Sequence, residues 1–161
     1  MDPSSVYSRT GYVIMYAGCP ILWVSRLQTE VALSTTEAEY IVLLQAMRDL
    51  IPFMNLVEDV SLVLNIDYST PEVQYKQTRP VSKVTADVYE DNNGALELAK
   101  APKMRPHTKH IALKYHHFRE HVRDGSVRIH PIDSHEQVAD IFTKALPKDA
   151  FIYLRNKLCG W

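Results

Sequence analysis

Between Ser8 and Tyr16 the sequence SRTGYVIMY is dense in β-branched and aromatic residues, AGCP supplies turn chemistry, and ILWVS resumes the apolar pattern. This succession predicts a β-hairpin. From Ala32, the stretch ALSTTEAEYIVLLQAMRDLIPFMNLVEDV carries apolar residues at helical spacing and almost all the way round the cylinder. It predicts a long buried helix, capped from among Ser34, Thr35 and Thr36 and bent at Pro52. Residues 61–83 hold Pro71 and Pro80, are mostly polar and show no period, the signature of a long surface connection. VTADVYE then places Val84, Ala86 and Val88 on one face of a short strand, ended by Asp91-Asn92-Asn93-Gly94, with a second helix from about Ala95. ALKYHHFREHVRDG predicts a third, amphipathic helix closing at Gly125, SVRIHPI another strand, and HEQVADIFTKAL a fourth helix capped by Ser134. A hairpin followed by alternating helices and strands predicts an α/β fold around a mixed sheet.

The 161 residues suit a single domain, with no internal repeat, and the 46% apolar and 23% charged composition is that of an ordinary folded protein. No run of uninterrupted apolar residues approaches the ~18 that a membrane span needs. The start MDPSSVYSRTG has neither a basic segment nor an apolar one, so no membrane or secretory role is expected. Cys19 and Cys159 show no paired spacing, which fits an intracellular chain without a disulfide framework or a cysteine zinc site.

The net charge of −1 conceals a segregation. Residues 36–97 hold eleven acids against four bases, whereas residues 98–128 hold eight bases and five histidines against two acids. Surface compensation would produce this, and so would a metal-dependent enzyme acting on a polyanion.

Four acids lie in or beside apolar elements, where an unpartnered carboxylate is costly: Glu37, Glu39, Asp91 and Asp140. Ser34-x-x-Glu37 and Thr36-x-x-Glu39 are overlapping capping boxes, and only one can operate. Giving the cap to Glu37 leaves Glu39 on the face of Val42, Leu43, Ala46 and Leu50, turned inward; a solvated glutamate near a helix start is the plain alternative. Asp91 is better placed than Glu90 for ligand chemistry, at a strand end before a helix, although turn and cap roles suit it as well. Asp140 is flanked by apolar residues and stands four positions before Lys144, with which a surface pair is the ordinary expectation. Three acids on three elements would make an oxygen-rich Mg²⁺ site. His107, His110, His117 and His121 have spacings compatible with zinc, but a basic face for phosphate contacts is the simpler account. His135, in the loop before Asp140, is a candidate proton shuttle or a solvated loop residue.

SRTGYVIMYAGCPILWVSRLQTEVALSTTEAEYIVLLQAMRD, VYEDNNGALELAKAPKMRPHTKHIALKYHHFREHV and HEQVADIFTKALP, in this order, closely resemble the ribonuclease H domain of copia-type LTR-retrotransposon polyproteins. The similarity covers nearly the whole chain outside residues 61–83. It implies a ribonuclease H-like α/β fold, a mixed five-stranded sheet with helices on both faces. It also implies hydrolysis of the RNA strand of RNA–DNA hybrids, beside the reverse transcriptase domain of the same polyprotein. Carried over by position, the family's acids fall on Glu39, with Glu37 as alternative, on Asp91 and on Asp140; they hold two Mg²⁺ ions, or Mn²⁺. His135 corresponds to a histidine near that site. Lys109, Lys114 and Arg119, with Asn92 and Asn93 beside Asp91, are the expected nucleic-acid contacts. The family's first strand, with an aspartate in a D-x-D-x-A-G pattern, has no counterpart, and Asp2 before Pro3 does not supply one. The expectation is therefore a single domain over 1–161 lacking its first strand, weak or inactive alone, with an unpaired sheet edge beside Gly11–Tyr16. The competing reading is a catalytically inactive ribonuclease H-like module that binds nucleic acid or supports a reverse transcriptase. The resemblance implies a cytoplasmic site of action, within virus-like particles, or a nuclear one.

Overall fold

The computed structural model describes residues 8–29, 32, 34–65, 84–100 and 118–160. Strands β1 (Arg9–Tyr16) and β2 (Cys19–Leu27) form the expected antiparallel hairpin. Its two-residue turn puts Ala17 and Gly18 at positive φ, 51° and 78°, the conformation that matches strand twist in tight hairpins. Helix α1 (Thr35–Leu64) starts at Ser34, whose hydroxyl accepts the backbone N–H of Glu37 at 3.1 Å. Ser34 is thus the N-cap, the position that the first of the two boxes assigns it. The helix continues through Pro52 and ends at Leu64, four residues inside the expected connection, whose remainder from 66 to 83 lies outside the described residues.

Strand β3 (Ala86–Glu90) pairs in parallel with β4 (Val127–Pro131), and helix α2 (Asn93–Lys100) follows β3 after a two-residue link. Residues 118–123 form the described end of a further helix, α3, closed before Gly125 at φ 81°. The core lies between α1, α2 and β4, where Tyr40, Leu43, Met47, Ala95, Phe118, Val127 and Ile129 pack together. Val84, Ala86 and Val88 rest against it on one strand face, as their alternation predicts.

Three expectations change. The strands form two separate two-stranded sheets, β1–β2 and β3–β4, rather than one mixed sheet; among the described residues no strand joins them. The fourth helix is replaced by two 3-10 turns, Ser134–Glu136 and Val138–Phe142, capped by Asp133 and Gln137 and not by Ser134. A helix α4 (Lys148–Cys159) follows where no element is expected. In addition, α1 meets the length and hydropathy of a membrane span, at mean hydropathy 1.3. Its apolar residues from Tyr40 to Met54 instead line the core.

Candidate active site

Strand alternation, one cap and two close approaches bring three acid-bearing elements together. Glu39 stands in the second turn of α1, half-buried, one residue past the buried Ala38. Glu90 and Asp91 terminate β3, and Asn92 caps α2 by accepting the N–H of Ala95 on Oδ1 at 3.0 Å. Gly94 lets the starts of α1 and α2 meet, since a Cβ there would stand 2.7 Å from Thr36 Cγ2. Asp140 lies on the second 3-10 turn, which Gly11 seats in the same way: a Cβ on Gly11 would be 2.4 Å from Thr143 Cγ2 and 3.0 Å from Phe142 Cβ. The Ser25 hydroxyl fixes that turn by donating to the Phe142 carbonyl at 2.6 Å.

The electrostatics follow from this assembly. Burial raises the Glu39 carboxyl above the usual carboxylate range, and the negative charges of Asp91 and Asp140 raise it further, while Lys144 acts against them. Burial pushes Glu90 up to about 7, although its Oε1 accepts the Asn92 N–H at 2.9 Å; the charges of Glu39 and Asp91 add to the rise. Asp91 accepts the Ser134 hydroxyl at 2.8 Å, and Asp140 takes the Lys144 ammonium at 2.6 Å. Ser134 therefore orients an acid instead of capping a helix.

The charges of Asp91 and Asp140 thus act on Glu39, and those of Glu39 and Asp91 act on Glu90. Glu90 is only 6% exposed. Its place was readable from parity, because it continues the buried face of Val84, Ala86 and Val88. Glu37 stays at the cap, its backbone N–H on Ser34. His135 is exposed, with its backbone N–H on Asp133 Oδ1 and the influence of its ring falling on Glu136. Asn92 serves the cap, Asn93 is exposed at the start of α2, and Arg119 is half-buried in α3. Lys109 and Lys114 lie outside the described residues, as do His107, His110 and His117; His121 Nδ1 sits 3.1 Å from the Ser126 hydroxyl. Arg128, counted with the basic segment, is paired to Asp87 at 2.9 Å on the exposed face of β3–β4, so part of the charge reversal is surface compensation. A surface concavity of about 480 Å³ beside α2 is lined by Asn93, Leu96, Glu97 and Lys100 and by none of the four acids.

Carboxylate oxygens of this kind suit a hard divalent cation such as Mg²⁺. Their present disposition does not: among the described residues no three Asp, Glu, His or Cys side chains are close enough to hold one ion. Ser134 and Lys144 hold Asp91 and Asp140 where they stand.

Over 144 residues, 89% of its length, the chain is 34% identical to the retrovirus-related Pol polyprotein from transposon TNT 1-94 of Nicotiana tabacum. The chain resembles a segment of transposon Pol polyproteins. Over 157 residues, 98% of its length, it is 32% and 31% identical to the Pol polyproteins from transposons RE2 and RE1 of Arabidopsis thaliana. It spans about a tenth of the length of these relatives. No family model matches it, nor does any solved structure.

Proposed function

We propose that this chain carries the acids of a ribonuclease H-type domain of a retrotransposon polyprotein, hydrolysing the RNA strand of RNA–DNA hybrids during reverse transcription. The observation that carries the reading is that Asp91 and Asp140, from a strand end and a turn far apart in sequence, lie near enough to the half-buried Glu39 of α1 for their charges to raise its carboxyl. The similarity to transposon Pol polyproteins supports it. Glu39, Asp91 and Asp140 are the acids on which Mg²⁺ or Mn²⁺, with their Lewis acidity and activated water, would have to draw, and they would need to come closer together to hold one ion. Ser134 keeps one Asp91 oxygen in place, and Asn92 fixes the turn that follows. His135, exposed on the 3-10 turn before Asp140, is free to take part in proton transfer. Lys109, Lys114 and Arg119 would contact phosphates, with Asn92 and Asn93 near the cleaved strand. Recognition is of hybrid shape and 2′-hydroxyls rather than of sequence. The partner is the reverse transcriptase domain of the same polyprotein, in cytoplasmic virus-like particles or in the nucleus.

A second reading, an inactive module that binds nucleic acid, is favoured by the separation of the acids among the described residues. Cleavage of a labelled hybrid in Mg²⁺ separates the two readings, using residues 1–161 with and without an added N-terminal strand bearing a D-x-D-x-A-G stretch. The nuclease reading expects strong cleavage only with the added strand, abolished by Asp91→Asn or Asp140→Asn. Salt-sensitive binding without cleavage in both forms would establish the inactive module instead.

A further inference from the structure

The 3-10 turn Ser134–Glu136 carries His135 and buries none of its residues, so packing does not hold it. Polar contacts do, and they run to two elements. Toward β3, the Ile132 N–H donates to the Glu90 carbonyl at 3.1 Å, the Ser134 hydroxyl to Asp91 Oδ2 at 2.8 Å and the Gln137 side-chain amide to the Tyr89 carbonyl at 3.4 Å. Toward α4, three bonds converge on Glu136. The Tyr153 hydroxyl donates to its Oε1 at 2.6 Å, and the Lys157 ammonium to its Oε2 at 2.6 Å and to its carbonyl at 3.2 Å. Tyr153 and Lys157 share one stripe of α4, each one position ahead of a buried anchor, Leu154 or Leu158. Exposed pairs of this kind contribute little to stability. Donors that meet on one residue of an unpacked turn fix its geometry instead.

We propose that Tyr153 and Lys157 are positioning residues: by gripping Glu136 they set where the turn stands, and so how Ser134 meets Asp91 and where His135 is presented. This rests on reading Asp91 and His135 as site residues. His135 lies between the two grips, Ser134 on the β3 side and Glu136 on the α4 side, so a shift at either end displaces it. Helix α4 thereby belongs to the site although it acts only through Glu136.

The test compares residues 1–161 with two variants. Tyr153→Phe combined with Lys157→Gln removes the donors and keeps the ring and most of the stem, while Glu136→Ala removes the carboxylate and leaves α4 untouched. Nuclear magnetic resonance reads the Asp91 carboxylate carbon and the solvent exchange of the His135 amide, which is bonded to Asp133 Oδ1 in the parent. Both variants should move the Asp91 signal alike and speed that exchange on the order of fivefold, with little change in unfolding temperature. Lys157→Arg should keep the parent's signals. An Asp91 signal that stays at the parent's position in both variants would overturn the proposal and leave a surface ion pair. Movement in the double variant that Glu136→Ala does not reproduce would also sink it, because α4 would then act by packing. Hybrid cleavage by the form with the added strand is followed in parallel. Its absence without any of these substitutions ends the nuclease reading alone, since the Asp91 signal decides the positioning whatever the activity.

Discussion

Helix α1 and the 3-10 turn Val138–Phe142 each bring one acid to the cluster, and they hold it by opposite means. Glu39 stands on a helix whose buried residues, Ala38 to Met54, form the floor of the fold. It cannot move unless the core moves. The turn buries none of its residues and is held by point contacts: Ser25 on the Phe142 carbonyl, the Thr143 hydroxyl on the Asp140 carbonyl at 3.3 Å, and the close seat at Gly11. One acid is fixed, and the other sits on an element that small changes can shift. The spacing within the cluster is therefore set by the turn.

The largest expected effect tests the fixed half. Met47 is 1% exposed, and Met47→Ala should cost ~2–5 kcal/mol in urea unfolding, because the neighbours cannot collapse fully into the space. A loss below ~1 kcal/mol would mean that α1 is not the rigid floor.

Glu90 sharpens the contrast through pH. Its folded value of about 7 lies above the ordinary 4.5, so the folded protein keeps a proton over a window in which the unfolded chain has released it. Metal-free stability should fall as pH rises from about 4.5 to about 7, by at most ~3 kcal/mol from this group, and the raised Glu39 acts in the same direction. Glu90→Gln should flatten the curve and be more stable than the parent above pH 7. Superimposable curves from chemical denaturation at stepped pH would remove Glu90 from the cluster.

Gly11→Ala probes the adjustable half, where the added methyl meets Thr143 and Phe142 and should cost ~1–3 kcal/mol. Amide exchange should speed up in residues 138–143 and stay slow in α1; the reverse distribution would invert the comparison. The smallest effect belongs to Ser34→Ala, ~0.5–2 kcal/mol, with faster exchange confined to the first turn of α1.

What could be read in the sequence was what neighbouring residues decide. The hairpin turn, the Ser34 cap and the buried face of β3 are all local choices, and each is found where the pattern places it. The parity of Val84, Ala86 and Val88 extends to Glu90, so the acid preferred second for ligand chemistry is the more deeply buried. The 3-10 turns were not legible as such, because Val138, Ile141 and Phe142 have helical spacing. Asp133 and Gln137 instead accept the N–H groups of His135 and Ala139, each starting a new turn, and Ser25 takes the Phe142 carbonyl from a distant strand. The last of these is a tertiary contact. Helix α4 has its own punctuation in Pro147, Asp149, Lys157 and Gly160, signals independent of apolar period. Whether two sheets remain apart depends on pairing partners, which no local pattern specifies.

The separate sheets also differ in when they can form. Tyr16 meets Cys19 across a two-residue turn, so β1–β2 closes on the ~1–10 μs scale of isolated hairpins. Asp87 and Arg128 meet across 41 positions, and that pairing must await the synthesis of β4. At ~5–20 residues per second, roughly 2–8 s separate the emergence of β3 from that of its partner. During that interval Ala95, Leu96 and Ala99 are without Val127 and Ile129, the residues that complete their packing. A nascent chain paused there presents an apolar helix face and an open parallel edge together, the combination most prone to capture by a chaperone or by another unfinished copy.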